Sequence, residues 1–143
     1  MAFEISVFLK NRITHFEEIT GTLKQENINI RSLMLNNISH GWGVLNLLVD
    51  RPEMAYQLLT ESGHSVVMCE VIALEMKDEV GGLDELLIKL SRTGIHIESA
   101  YSRLIDNNKT AILIIEVPDV IEATQRLIKN DIQIISDKIV YGE

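Results

Sequence analysis

Apolar residues recur along this chain at two different periods, and the switches between them mark out its elements. From Phe3 to Leu9 the positions Ile5, Val7 and Leu9 alternate, which predicts a half-buried strand. Lys10 to Thr14 is polar and predicts a loop. His15 to Asn27 sets Phe16, Ile19 and Leu23 at helical spacing. Ile28 to Leu35 reads as a second strand with Ile28 and Ile30 on one face. Asn36 to Gly43 is rich in turn formers, and Val44 to Val49 is a third strand. Asp50-Arg51-Pro52-Glu53 carries helix-start signals, with Asp50 as N-cap, proline in the first turn and glutamate after it. That helix runs to about Ser62, Gly63 ends it, and Ser65 to Cys69 is a fourth strand.

The second half repeats this order. Strand Glu70 to Met76 precedes a helix from Gly82 to Thr93, on which Leu83, Leu86, Leu87 and Leu90 are expected to face inward. Strand Ile95 to Leu104 leads through Ile105 to Lys109 into strand Thr110 to Val117. Asp119 and Glu122 form a capping-box pattern, the helix ends near Asn130, and Ile132 to Ile135 begins the last strand. The sequence itself repeats. Leu9 to Phe16 aligns with Met76 to Leu83, and Ile28 to Ser32 with Ile95 to Ser99, an offset of 67 in both cases (76 − 9, 95 − 28). Ala55, Gln57 and Leu59 align with Ala123, Gln125 and Leu127 at an offset of 68 (123 − 55). A repeat this long is one supersecondary unit used twice. It divides the 143 residues into domains 1–69 and 70–143, each small enough that a lone core is marginal. With no linker between them, the two are expected to be rigidly coupled.

Two β-α-β-β-α-β units with helices on one face of an antiparallel sheet predict an α+β, ferredoxin-like fold. The third strands, Val44 to Val49 and Ala111 to Val117, are apolar on both faces for most of their length, whereas a sheet with one solvated face alternates. With Phe8 also pointing outward, this predicts that a homodimer covers the open sheet face.

A net charge of −8 argues against nucleic acid as a partner, because phosphate neutralisation needs a basic face. The single cysteine, Cys69, lies in an apolar run and reads as a core thiol; it permits no internal disulfide. The four histidines, His15, His40, His64 and His96, have no metal-ligand spacing, so no metal or cofactor is expected. No stretch reaches membrane-spanning length, and Met1-Ala2-Phe3-Glu4 has no leader character, so the expected location is the cytoplasm. No nucleophile–base constellation is visible, and no catalytic residue is assigned.

The candidate chemistry lies where each first strand feeds a helix N-terminus. Unpaired backbone N–H groups and the helix dipole suit a carboxylate there. In the second unit this loop is Asp78-Glu79-Val80-Gly81-Gly82: the glycines open the backbone to a ligand, and Asp78 suits an ammonium group. That polarity fits an α-amino acid. The first unit has Asn11, Arg12, Ile13 and Thr14, with neutral Asn11 in the polar role and Thr14 in place of the glycine. A second pair of aligned polar residues, Asn29 and His96, opens the second strands.

Asp78-Glu79-Val80-Gly81-Gly82-Leu83 with Gly94-Ile95-His96-Ile97, and Asn11-Arg12-Ile13 with Asn27-Ile28-Asn29-Ile30, resemble the ACT-domain pattern, an Asn/Asp-x-Pro-Gly-x-Leu loop and a later Gly-x-Asn-Ile segment. The resemblance covers essentially the whole chain, twice. It departs at the loop proline, replaced by Ile13 and Val80, and at Thr14. It implies a stand-alone tandem ACT protein, its two units paired side by side through their second strands into one eight-stranded antiparallel sheet with helices on one face. It implies a non-catalytic regulator that binds a free amino acid at the seam and modulates a metabolic enzyme. One seam site would combine Asp78, Gly81 and Gly82 with Asn29, and the other Asn11 and Thr14 with His96. The alternative it leaves open is an interaction subunit of an amino-acid biosynthetic enzyme of the acetolactate synthase type, with degenerate sites.

Overall fold

A computed structural model describes residues 2–10, 12–105 and 109–142. Two compact units form: Phe3–Cys69, joined by Tyr141 and Gly142, and Glu70–Val140, joined by Ala2. The boundary falls inside one uninterrupted strand, β4 (Ser65–Lys77), whose first residues complete one unit and whose last residues open the next.

In the first unit, β1 (Ala2–Lys10), α1 (Ile13–Gln25), β2 (Ile30–Ser39), β3 (Trp42–Val49) and α2 (Pro52–Glu61) precede β4, with strands in the order β2-β3-β1-β4. Ile5 pairs with Leu47 and Val7 with Leu45. These residues, with Ile19 and Leu23 of α1 and Ala55 and Leu59 of α2, form a core from which water is excluded. The β2–β3 turn is tighter than the turn-former count suggested. Only His40 and Gly41 lie outside the strands, both at positive φ (50° and 81°), the backbone that matches the twist of a two-residue hairpin. Asn36 to Ser39 and Trp42 are therefore strand residues.

In the second unit the end of β4 is followed by α3 (Gly82–Ser91), β5 (Ser99–Ile105), β6 (Thr110–Glu116), α4 (Val120–Lys129) and a short α5 (Asp137–Val140), with strands in the order β4-β6-β5. Ile72, Leu74, Leu86, Leu90, Leu113 and Ile115 anchor its own core. The expected strand at Ile132 to Ile135 is reduced to one bridge, Leu74 with Ile134, flanked by Ile135 N–H to Ala73 O at 2.8 Å. It sits outside β4, as β4 sits outside β1, so both units keep one strand order. The helix ends repeat too. Asn27 and Gly94, an offset of 67, and Gly63 and Asp131, an offset of 68, all close their helices at positive φ (58°, 73°, 91° and 57°).

Three expectations are corrected. The described residues form six strands, not eight, because two expected strands merge into β4 and one shrinks to a bridge. The expected β2–β5 pairing is not made within the chain: β2 pairs with β3 alone and β5 with β6 alone. Leu83 and Leu87 are not inward; they are half-exposed, and Leu86 and Leu90 alone carry the buried stripe of α3.

The open sheet face of the second unit is covered by its own chain. Ile112 and Ile114 point away from α3 and α4, yet their exposures are 0% and 1%. Arg103, opposite Ile112 in register, donates from Nη2 to Val140 O at 2.6 Å and Ile139 O at 3.3 Å. This holds α5 over that face, with Val140 buried. In the first unit Phe8 and Trp42 remain half-exposed on the equivalent face, and Lys10 Nζ lies 5.9 Å from the Trp42 ring.

Candidate functional site

The loop 78–82 of the second unit is pinned at both ends. Asp78 N–H donates to Lys109 O at 2.7 Å, and Gly82 N–H to Glu79 O at 3.0 Å. The two glycines have different jobs. Gly81 is the N-cap of α3 in the left-handed region at φ +86°, and a Cβ there would meet nothing within 4 Å. A Cβ on Gly82 would sit 2.0 Å from Lys77 O, so this residue is glycine because the strand-to-helix turn closes on itself. Gly82 is buried and its N–H is used, so it is a structural residue rather than an approach for a ligand. What remains to meet a ligand is the open side of Gly81 and the exposed carboxylate of Asp78, which makes no side-chain bond among the described residues.

In the first unit Asn11 lies outside the described residues. Arg12, not a polar capping residue, is the N-cap of α1, and Ile13 and Thr14 already belong to the helix and are exposed. The backbone N–H of Lys10 donates to Nδ1 of His15 at 3.0 Å. The His15 ring stacks on His64, with centroids 5.3 Å apart and Nε2 3.4 Å from His64 Nδ1. Burial, then the adjacent His15 ring, hold the His64 imidazolium below the ordinary histidine range, while Glu18 pulls the other way.

Asn29 and His96 each line a cavity. Asn29 borders one of about 400 Å³ with Thr20, Lys24 and Asn27. Its N–H donates to Asp50 Oδ1 at 3.1 Å, so Asp50 ties the second strand rather than capping α2, whose N-cap is Arg51. His96 is exposed, ahead of β5 rather than in it, and borders a cavity of about 150 Å³ with Asp119, Glu122 and Arg126. Two arginines missed by the sequence reading fix these rims. Arg51 Nη2 donates to Glu26 O and Asn27 O, both at 2.7 Å; Arg126 donates to Thr93 O at 3.0 Å and to Glu122 at 2.6 Å. The spacing of Glu122 and Arg126 is a readable sign of that pair. Asp119 caps α4 as expected, accepting from Glu122 N–H at 3.1 Å.

Within a unit the loop and the second-strand start are not brought together. Lys77 pairs with Thr110, itself opposite Ile105, while His96 lies beyond Ser99, opposite Glu116. At about 3.3 Å per residue, this separates them by roughly 20 Å along the sheet. In the first unit Thr14 follows the Lys10–Trp42 end and Asn29 the Ile30–Val49 end. In each unit the two candidate clusters therefore lie at opposite ends of the sheet.

A family model described as an ACT domain pair matches residues 1–141. The chain belongs to this family. No curated protein matched it. Among solved structures, protein BT0572 from Bacteroides thetaiotaomicron is 27% identical, covers 99% of this chain and 96% of its own, and superposes with a TM-score of 0.88. The ligand-free regulatory subunit of aspartate kinase from Thermus thermophilus is 13% identical, with coverage of 90% and 92% and a TM-score of 0.61. The aspartokinase alpha and beta subunits give 18%, 91%, 95% and 0.53. At those identities the last two share the fold.

Proposed function

We propose that this ACT domain pair is a non-catalytic regulatory module that binds a free α-amino acid and modulates a metabolic enzyme. The observation that carries this reading is the Asp78–Gly81 arrangement: an exposed carboxylate three residues ahead of an open, left-handed helix N-cap. Helix-end N–H groups favour a ligand carboxylate, and Asp78 favours its ammonium group. The half-sites call for two units per ligand. The open outer edges of β2 and β5 support a seam formed between two copies of the chain. Pairing β2 of one copy with β5 of another would join Asp78 and Gly81 to Asn29, and Thr14 to His96, in a homodimer. The test is calorimetry across the twenty amino acids. Asp78→Ala should weaken a ligand that binds the parent by about 1.5–3 kcal/mol, the range for a hydrogen bond to a charged group. Unchanged affinity would place the site elsewhere.

A second reading, an interaction subunit of a biosynthetic enzyme, is favoured by one observation. Leu83 and Leu87 of α3 and Ile121 and Ile128 of α4 are 44% to 71% exposed. No amino acid would then stabilise the chain against heat.

A further inference from the structure

A cleft of about 340 Å³ lies in the second unit between the end of β4, the first turns of α3 and residues 131–133. Its origin is in the backbone. The segment after α4 pairs with β4 at the Leu74–Ile134 bridge, and its last backbone bond there among the described residues, Glu75 N–H to Gln133 O, is stretched to 3.4 Å. Residues 131 and 132, beyond that bond, line the cleft beside the start of α3.

The first unit provides an internal comparison. Gly82 aligns with His15 (82 − 15 = 67) and Ile132 with His64 (132 − 64 = 68), the two offsets on which the repeat runs. In the first unit two stacked imidazoles stand at these positions. In the second, one ring is replaced by hydrogen and the other by a buried isoleucine, and both positions line the cleft.

The lining has the polarity of a zwitterion with an apolar tail. Met76, Leu86 and Ile132 form the apolar floor, the last two at 6% and 5% exposure. Lys77 and Lys89 supply positive charge; Glu75, Glu85 and Asp131 supply negative charge. Among the described residues none of these five side chains is tied to another by a hydrogen bond or ion pair, so both signs are available to a ligand. We propose that this cleft is a binding site for a free α-amino acid with an apolar side chain, separate from the Asp78 seam. Its lysines take the carboxylate, its acidic residues the ammonium group, and the floor the side chain. In the first unit the stacked His15 and His64 rings fill the two aligned positions.

The test is a titration of the nitrogen-15-labelled full chain with L-valine, L-leucine, L-isoleucine, L-methionine and L-phenylalanine, followed by amide shifts. For the tightest binder, the analogues lacking the ammonium or the carboxylate group are titrated in turn. The expected result is saturable movement of amides 75–77, 82–89 and 131–133, about tenfold weaker binding of either analogue, and about tenfold weaker binding to Lys89→Glu. Asp78→Ala should leave these shifts in place, which separates this site from the seam. Gln133→Trp, at an exposed position, should fill the cleft and abolish them without unfolding the chain. The proposal is overturned if these amides stay still with all five amino acids, if the analogues bind equally well, or if neither variant weakens binding.

Discussion

Nε2 of His15 lies 3.4 Å from Nδ1 of His64, and the nitrogen on the other side of the His15 ring accepts the Lys10 N–H. The second contact fixes the first. With Nδ1 of His15 an acceptor, its proton sits on Nε2 and points at His64, whose Nδ1 must accept. A proton added to His64 Nδ1 would face that N–H and break the link.

Stability should therefore depend on His64. Its folded pKa lies below the unfolded value of about 6.5, so the unfolded chain takes up the proton first. The contribution is complete above about 6.5 and is lost as pH falls through the folded pKa. Thermal melts between about pH 5 and pH 8 should show this slope in the parent, flattened in His64→Leu.

Ile112→Ala should cost about 2–5 kcal/mol in urea unfolding, because the side chain has 0% exposure under α5. A charge at Ile112 or Ile114 should unfold the second unit rather than only separate two copies, which light scattering with circular dichroism distinguishes.

The two loop glycines should respond oppositely. Gly81→Asn keeps a left-handed backbone that asparagine tolerates and has open space for its side chain; Gly82→Ala drives a methyl into Lys77 O. Denaturant midpoints should show a small loss for the first and a loss of several kcal/mol, at least ~2, for the second.

Asp119→Ala should cost about 1 kcal/mol, since it removes the one side-chain N-cap found on a long helix among the described residues. Asp50→Ala should leave the α2 N-cap geometry intact and loosen the start of β2 instead, readable as faster amide exchange at Asn29.

Element order and both cores were legible in the sequence because they rest on local periodicity. Ile5, Val7 and Leu9, or Leu86 and Leu90, declare their side of a strand or helix by spacing alone. Three things were not legible. The apolar third strand looked like a dimer face because α5 contains only four residues, too few for a periodic signal, and the burial of Ile112 depends on it. The last strand failed because pairing depends on where the chain enters after α4, which Ile132 to Ile135 does not encode. At the site, Gly81 and Gly82 read alike in the sequence; only φ and the approach of Lys77 O separate a residue open to a ligand from one required by the turn.

The open outer edges of β2 and β5 have a colloidal consequence. An unpaired strand presents a row of N–H and C=O groups on which any similar strand can template itself, and β2 adds exposed Leu33 and Ile38. A net charge of −8 opposes such encounters at a distance, but only as far as the ionic atmosphere allows, about 10 Å at 0.1 M salt. Purification in strong salt would remove that repulsion and leave the edges free to meet, so the tendency to self-associate should rise with ionic strength and set the buffers in which this chain can be handled.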